Sequence, residues 1–268
     1  MRLSPKRRAL FLNEMGVGPL WTRRDNEPVE VKPESMPQNA DHQQMADIFD
    51  TVPAASVAPE AGTASGAAPS AVEIAEMDWA QLKTAVAGCV KCGLCKSRTK
   101  TVFGAGDEKA GWLFIGEGPG RNEDLQGEPF IGPAGKLLDN MLLAIGLKRG
   151  KNAYIANVVK CRPTGADGRD RAPSPEEAAA CRPYLERQIA LIQPSILMAL
   201  GKTAGLSLLG IDHDTPVAQL RGKVHRHSDL PVVATYHPAY LLRKPAEKAK
   251  AWSDLCLAMD AYAGKQNQ

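Results

Sequence analysis

From residue 78 onward, short apolar segments alternate with stretches in which apolar residues recur at helical spacing. The apolar segments predict strands at 112–116, 153–159, 195–200 and 232–236. The stretches between and after them predict helices at 134–145, 175–192, 202–209 and 246–262. Strands that alternate with amphipathic helices are typical of a parallel sheet covered on both faces. We therefore predict an α/β fold, a three-layer sandwich with a central, mostly parallel, four-stranded sheet.

The first 77 residues do not show this alternation. Between residues 27 and 77, Pro, Ala, Ser, Gly and acidic residues predominate, and no apolar period is sustained. Such a segment buries too little apolar surface to offset roughly 1–2 kcal/mol of backbone ordering entropy per residue. We predict a disordered acidic linker at 27–77. Residues 1–26 hold a short amphipathic stretch with basic ends, which we interpret as a docking peptide.

The net charge of +3 conceals an uneven distribution. Residues 1–30 carry a balance of +2, residues 31–80 of −7 and residues 81–268 of +8. The basic region suits a polyanionic partner such as nucleic acid, which the acidic segment would repel. No run approaches the roughly 18 uncharged apolar residues of a membrane-spanning helix, and no secretory signal is visible. We expect a cytoplasmic monomer without membrane association.

Six cysteines in a chain expected to be cytoplasmic are not expected to form structural disulfides. Cys89 and Cys92 form a C-x-x-C pair, which Cys95 extends. Cys161 follows a predicted strand, and Cys181 lies on a predicted helix. Thiolates at positions 89, 92, 161 and 181 can enclose a tetrahedral zinc ion or an iron–sulfur cluster, and their spacing does not distinguish the two. In the alternative, Cys161 and Cys181 are core residues, and Cys89, Cys92 and Cys95 form a separate site.

Ligands of an open parallel sheet bind where the strands end in loops, and four such places contain candidate binding or catalytic residues. After the first strand, the segment around Gly116 and Glu117 is rich in glycine, so a ligand can approach its backbone closely. Phe130 lies between glycine-bounded turns, where its ring can stack on a planar base or act as a hydrophobic plug. Asn157 interrupts an apolar strand, where its amide can read a base edge or cap local backbone; a buried amide without partners costs about 1–3 kcal/mol. His237 directly follows the last strand.

The segment after His237 places Leu241, Leu242 and Arg243 in succession. An apolar wedge beside cations is what a protein needs to displace a base from a duplex while holding the flanking phosphates. Because a single histidine is more often structural than catalytic, the interpretation of His237 depends on these neighbours. Two other patterns are excluded: the first loop lacks G-x-G-x-x-G, and the GKT at 201–203 lacks the earlier glycine of a phosphate loop.

Six motifs of this region resemble, in the same order, those of the uracil-DNA glycosylase superfamily, specifically its family 4, whose members carry a four-iron, four-sulfur cluster. They are CVKCGLCKSR, GEGPGRNED, GEPFIGPAGKLLD, NVVKCRP, PSPEEAAACRPYL and HPAYLLR. The resemblance implies that residues 78–268 form a catalytic domain that flips uracil out of DNA and hydrolyses its N-glycosidic bond, leaving an abasic site in base excision repair. The alternatives are a glycosylase for another deaminated base and a weakly catalytic iron–sulfur DNA-binding module.

The same resemblance implies a role for each loop residue. Phe130 would stack on uracil, and Asn157 would hydrogen-bond its polar edge. Backbone amides at Gly116 and Glu117 would help to hold the carbonyl groups of uracil. His237 would stabilise the negative charge that develops on the uracil oxygen.

Further implied roles concern the cluster, the DNA and the attacking water. Cys89, Cys92, Cys161 and Cys181 would bind the cluster, and Cys95 would not. Leu241 would fill the space left by the flipped nucleotide, and Arg243 would lie near the DNA backbone. The water-positioning aspartate of the best-known members is matched here by Gly118, so Glu117 becomes the nearest candidate carboxylate and Glu123 a supporting one.

Two segments outside these motifs add expectations. The loop 164–171 contains no histidine, the residue through which a related cluster protein traps uracil-DNA covalently, and this favours turnover. The sequence RRALFLNEMGVGPLWTRR resembles the N-terminal peptide of the psi subunit of the bacterial clamp-loader complex. A clamp-loader partner for residues 1–26 is therefore one expectation, and a generic amphipathic tail is the other.

Overall fold

The computed structural model of the chain describes residues 68–211 and 214–266. The predicted docking peptide and most of the predicted linker lie outside these residues. Within the linker range, however, helix α1 (Ala71–Glu76) is formed, so regular structure begins before residue 78. The reason is local, because Ser70 and Glu73 form a reciprocal capping box and Ile74 is fully buried.

Six strands form one sheet in the described part of the chain, in the order β1-β3-β2-β4-β6-β5. Their bounds are β1 (Ala105–Gly106), β2 (Trp112–Gly116), β3 (Ala153–Asn157), β4 (Ile196–Leu200), β5 (Val224–His227) and β6 (Leu230–Thr235). The central four strands are parallel, and β1 and β5 pair antiparallel at the two edges. The predicted class is confirmed, but the count of four was wrong. The sequence pattern missed the edges because β1 has two residues and β5 is half-exposed, without an apolar run.

The predicted helices are confirmed to within a few residues. After α1 the helices are α2 (Trp79–Ala87), α3 (Arg121–Gln126), α4 (Pro133–Ala144), α5 (Pro175–Ile192), α6 (Lys202–Leu209), α7 (Val217–Leu220), α8 (Pro238–Arg243) and α9 (Lys248–Gln266). Helix α5 begins where the sequence predicts, because Ser174 caps it and Glu177 closes a capping box.

The core lies on both faces of the sheet. Successive residues of β2 alternate between two hydrophobic clusters, with Leu113 and Ile115 in one and Trp112 and Phe114 in the other. Helices α1, α2, α5 and α6 contribute to the first cluster, and α4, α8 and α9 to the second. All four parallel strands therefore point their carboxyl ends to the same edge, between two helical layers. No helix in the described ranges is long and apolar enough to cross a membrane.

Candidate active site

A cavity of about 230 Å³ opens at the carboxyl ends of the parallel strands. Its walls include Glu117, Glu123, Phe130, Asn157, Arg171 and His237. Three of these side chains, Phe130, Asn157 and His237, come from separate loops or strand ends that are far apart in sequence. The structure thus brings three of the candidate site residues from the sequence to one cavity.

Asn157, the last residue of β3, presents a buried polar group beside this cavity. Its side chain is 2% exposed, and Oδ1 has no hydrogen-bond partner among the described residues. An unpartnered buried acceptor costs about 1–3 kcal/mol, so the site gains when a ligand N–H reaches it. The local-capping alternative for this oxygen is not supported, since the capping bond is absent.

Gly116 ends β2 at the point where the Phe130 ring and the Asn157 amide converge. A Cβ atom built on Gly116 would lie 2.5 Å from Oδ1 of Asn157 and 2.5 Å from Cζ of Phe130. The absence of a side chain therefore gives both groups access to the same space.

Gly116→Ala should abolish ligand entry without unfolding the protein. The new methyl group must displace the Phe130 ring or the Asn157 amide, and we expect the rate on substrate to fall by about 100-fold or more, since misplacement by about 1 Å can cost 10²-fold. Steady-state kinetics and a circular dichroism melt on the same sample measure this. Gly264→Ala is the control, because a Cβ there meets no atom within 4 Å. Wild-type kinetics in Gly116→Ala would contradict the shared-space geometry.

Phe130 is held in a backbone conformation that non-glycine residues rarely adopt, with φ of 54°. Arg149 donates from Nη1 to the carbonyl oxygen of Pro129 at 2.7 Å and from Nη2 to that of Phe130 at 2.8 Å. It also pairs with Asp139 at 3.1 Å. Any Cβ at Gly135, in the first turn of α4, would overlap the Phe130 carbonyl. These contacts fix the ring against the cavity wall, where its centroid is 5.4 Å from that of His237.

Glu123 supports the same loop from the other side. Its Oε1 accepts from the backbone N–H groups of Ile131 at 3.0 Å and Gly132 at 3.2 Å. This carboxylate therefore anchors the Phe130 loop, a role that the sequence did not reveal.

His237 lies between β6 and α8 and caps the helix. Its Nδ1 accepts from the backbone N–H of Ala239 at 3.2 Å, which places the proton of the neutral ring on Nε2. Burial lowers the pKa of His237 to about 4, and the charge of Arg243 acts in the same direction. Gly201, with φ of 93°, allows the imidazole this position, because a Cβ there would lie 3.0 Å from Cβ of His237. The site thus offers a neutral imidazole N–H donor at neutral pH.

The pKa of His237 predicts an unusually acid-tolerant activity. The neutral ring persists as the pH falls through 6.5, the ordinary histidine pKa, so we expect kcat/KM to show no inflection there and to fall only near pH 4. Folding stability should behave differently. In the unfolded chain His237 binds its proton at a higher pH than in the fold, so the free energy of unfolding should decline as the pH drops from 6.5 towards 4.

A pH profile of kcat/KM, with circular dichroism melts at each pH, tests both statements. An activity loss with a midpoint near pH 6.5, in protein that is still folded, would contradict the neutral-donor geometry.

Glu117 is the candidate carboxylate for positioning a water molecule at this cavity wall. Its Oε2 accepts a hydrogen bond from the Thr203 hydroxyl, which fixes the side chain from α6. At Gly118, a Cβ would lie 2.8 Å from Cγ2 of Val159, so an aspartate there would require the neighbouring chain to move. A water-positioning carboxylate is thus sterically disfavoured at 118 and can be supplied by Glu117.

A second cavity is lined by the four predicted cluster cysteines, Cys89, Cys92, Cys161 and Cys181, together with Cys95. Cys161 and Cys181 are buried in the core, and they line the same cavity as the other three cysteines. Among the described residues, no group of three or more His, Cys, Asp or Glu side chains is arranged as a metal-ion site. Four sulfur donors suit both predicted occupants, a zinc ion and an iron–sulfur cluster.

Hydrogen-bond donors surround the sulfur atoms of this second cavity. The backbone N–H of Lys160 donates to Sγ of Cys181 at 3.3 Å, and Nη1 of Arg98 donates to Sγ of Cys161 at 3.4 Å. N–H donors to sulfur are the protein's usual means of stabilising cysteine-ligated iron–sulfur groups. The donor set and its surroundings fit a thiolate-bound cluster.

The implied wedge residue lies on helix α8. Leu241, which the resemblance assigns to the space left by the flipped nucleotide, is 0% exposed and packs in the core from the inner side of α8. The exposed apolar residue of this helix is its neighbour Leu242, at 43% exposure. Arg243 is exposed at the end of the same helix.

Comparison with known proteins identifies the family. Residues 103–256 match the model of the Uracil DNA glycosylase superfamily. The chain belongs to this superfamily. It is 43% identical to a type-4 uracil-DNA glycosylase of Archaeoglobus fulgidus, over 63% of this chain and 85% of the relative. Type-4 uracil-DNA glycosylases of Pyrobaculum aerophilum and Sulfurisphaera tokodaii are 37% and 42% identical, over 68% and 62% of this chain and 93% and 76% of theirs. The predicted superfamily is confirmed.

Proposed function

We propose that this member of the superfamily is a monofunctional uracil-DNA glycosylase of base excision repair. It hydrolyses the N-glycosidic bond of deoxyuridine in DNA and leaves an abasic site. The observation that carries the proposal is the convergence of the Phe130 ring, the Asn157 amide and the His237 imidazole on one cavity of base-binding character. The type-4 relatives, which share about two-fifths of the aligned residues, support the same activity.

Asn157 distinguishes uracil from cytosine by hydrogen-bond polarity. Its buried Oδ1 accepts the N3–H of uracil, and its amide nitrogen donates to O4. Cytosine presents an acceptor at N3 and an amino donor at position 4, so both bonds would be reversed. The Phe130 ring covers one face of the base, and the bare backbone at Gly116 and Glu117 approaches its carbonyl oxygens.

His237 stabilises uracil as it leaves with a negative charge. The neutral Nε2–H donates to O2, where charge develops while the glycosidic bond breaks. Glu117, held by Thr203, orients the water that attacks C1′ of the sugar and offsets the positive charge developing there. Both groups are positioned before the reaction, so little reorganisation is required.

The four cysteines Cys89, Cys92, Cys161 and Cys181 are proposed to hold a four-iron, four-sulfur cluster. When bound, this group supplies iron–thiolate bonds that cross-link the segment after α2, the segment after β3 and helix α5. Purified protein should be brown and should contain about four irons and four sulfides per chain. Colourless protein with one zinc would overturn this assignment.

A duplex with a single uracil tests the proposed activity. Incubation should produce an alkali-labile site at the uracil, while matched duplexes with cytosine or thymine stay intact. Binding without scission would instead indicate an iron–sulfur DNA-binding module. Preferential release of another deaminated base, in competition with uracil, would indicate a different glycosylase.

Leu242 is proposed as the wedge, and two variants separate it from its buried neighbour. Leu241→Ala should lower the free energy of unfolding by about 2–5 kcal/mol, since it leaves a cavity in the core. Leu242→Ala should change it by about 0.5 kcal/mol or less. It should, however, slow uracil release from duplex more than from single-stranded DNA, because only a duplex must be unstacked. Denaturant unfolding and the ratio of the two rates measure this; equal slowing on both substrates would exclude the wedge.

We also infer a clamp-loader contact through residues 1–26, with the part of residues 27–77 that precedes α1 as its tether. Only the sequence resemblance supports it, because residues 1–26 lie outside the described ranges. A pull-down with and without residues 1–26 tests it, and clamp-loader binding that survives the deletion would remove it. Size-exclusion chromatography tests the expected monomer.

A further inference from the structure

Lys160 lies between the uracil cavity and the cysteine cavity, and its side chain is 1% exposed. Its Nζ donates to the backbone carbonyl oxygen of Asn157 at 2.8 Å and to Oε1 of Gln188 at 2.6 Å. Its backbone N–H donates to Sγ of Cys181 at 3.3 Å, and the residue lines the cysteine cavity. One residue therefore contacts both the base-reading asparagine and a proposed cluster ligand.

The hydrogen-bond acceptors of this buried ammonium are neutral oxygens. A charge removed from water without an opposite charge is costly, and neutral acceptors offset only part of that cost. Four thiolates bound to a four-iron, four-sulfur core carry a net negative charge. When occupied, the cysteine site beside Lys160 would therefore supply a compensating negative charge.

The backbone between the two sites is short and held on both sides. Asn157 and Cys161 are four residues apart, and Val158 and Val159 between them donate to the carbonyl oxygens of Gly116 and Glu117 at 2.9 and 3.2 Å. The Lys160 side chain folds back over this segment to the Asn157 carbonyl. The end of β3 is thereby tied to the loop that forms the uracil cavity.

Gln188 connects the same lysine to the helix that carries Cys181. It lies on α5, is 0% exposed, and donates from Nε2 to the carbonyl oxygen of Phe103 at 2.8 Å. Lys160 is therefore hydrogen-bonded to α5 at two points, the Gln188 amide oxygen and the Cys181 sulfur, so a displacement of α5 at Cys181 would also displace Lys160.

We propose that Lys160 is a positioning residue that serves as counter-charge to the cluster and couples the occupied cysteine site to the Asn157 amide. The inference depends on the proposed function, and it gives the cluster a definite part in base recognition. A bound cluster would attract the Lys160 ammonium by charge, and the hydrogen bond from Lys160 to the Asn157 carbonyl oxygen keeps the end of β3 in place.

Lys160→Met tests the coupling, because methionine has a similar shape without the charge or the donor. We expect the midpoint potential of the cluster to fall, since removing a nearby positive charge disfavours the more negative, reduced state. We expect kcat for uracil release to fall by about 10-fold or more, while KM, which reflects contacts along the DNA, changes little. Voltammetry and single-turnover kinetics give the two readouts. Lys136→Met, at an exposed position on α4, is the matched control and should change neither.

Gln188→Glu provides an independent variant of nearly identical shape. The new carboxylate pairs with the ammonium and cancels its charge, but the bond to Asn157 is kept. We expect a lowered midpoint potential with kcat close to wild type.

The results that would overturn it are an unchanged potential in Gln188→Glu, or Lys160→Met with both potential and kcat of the wild type. Failure of the proposed function would be distinct, since the wild type itself would then lack iron or leave uracil in place.

Discussion

His237→Ala should lower the rate of uracil release from duplex DNA by about 10²–10³-fold, the usual cost of removing one donor to a developing oxyanion. The imidazole is a neutral Nε2–H donor, because Nδ1 accepts from Ala239 and burial lowers the pKa to about 4. Alanine leaves the departing uracil anion without this donor.

The measurement is a single-turnover assay with enzyme in excess over a duplex carrying one uracil, so that product release does not limit the rate. His225→Ala is the matched control, because His225 lies on the edge strand β5, where Nε2 contacts the carbonyl oxygen of Leu220. The control should release uracil at the wild-type rate. A His237→Ala rate within about threefold of wild type would remove His237 from the mechanism, since it corresponds to less than 1 kcal/mol of transition-state stabilisation.

Asn157→Asp should lower uracil release by about 10²–10³-fold and reduce the preference for uracil over cytosine. An ionised carboxylate cannot donate to O4 of uracil and repels it. The same carboxylate can accept from the amino group of cytosine, which the wild-type amide is oriented to reject. The large effect follows from burial, because a side chain that is 2% exposed cannot replace a lost hydrogen bond with one to water.

Asn157→Ala separates loss of binding from change of specificity. It removes both the donor and the acceptor, so it should slow uracil release to a similar degree without any gain on cytosine. Single-turnover rates on uracil- and cytosine-containing duplexes, for both variants, measure the two effects. An unchanged uracil-to-cytosine ratio in Asn157→Asp would show that another group reads the base.

These effects concern residues that sequence reasoning could find. Parallel strands deliver their carboxyl ends to one edge, so polar or aromatic residues directly after apolar segments were expected to meet there. Phe130, Asn157 and His237 do meet, and the four cysteines line one cavity. The α/β class and the four central strands followed from periodicity, since fully buried strands and amphipathic helices leave strong local patterns.

Other features left no local pattern, because they depend on residues that meet only after folding. Arg149 reaches the Phe130 carbonyl from 19 residues away, and Gln188 reaches Lys160 from 28. The anchoring role of Glu123 and the room that Gly201 leaves for His237 are likewise contacts between separate elements.

By itself, the sequence determined the class of fold, the central strands, and the residues that reach the uracil and cysteine cavities, because hydrophobic period and strand-end position are properties of neighbouring residues. The tertiary structure decided that Leu241 is buried and Leu242 exposed, that His237 is neutral, and that Lys160 joins the two cavities. Burial, proton affinity and long-range hydrogen bonds are set by whatever the fold packs around a side chain, and that information is not carried by the adjacent sequence.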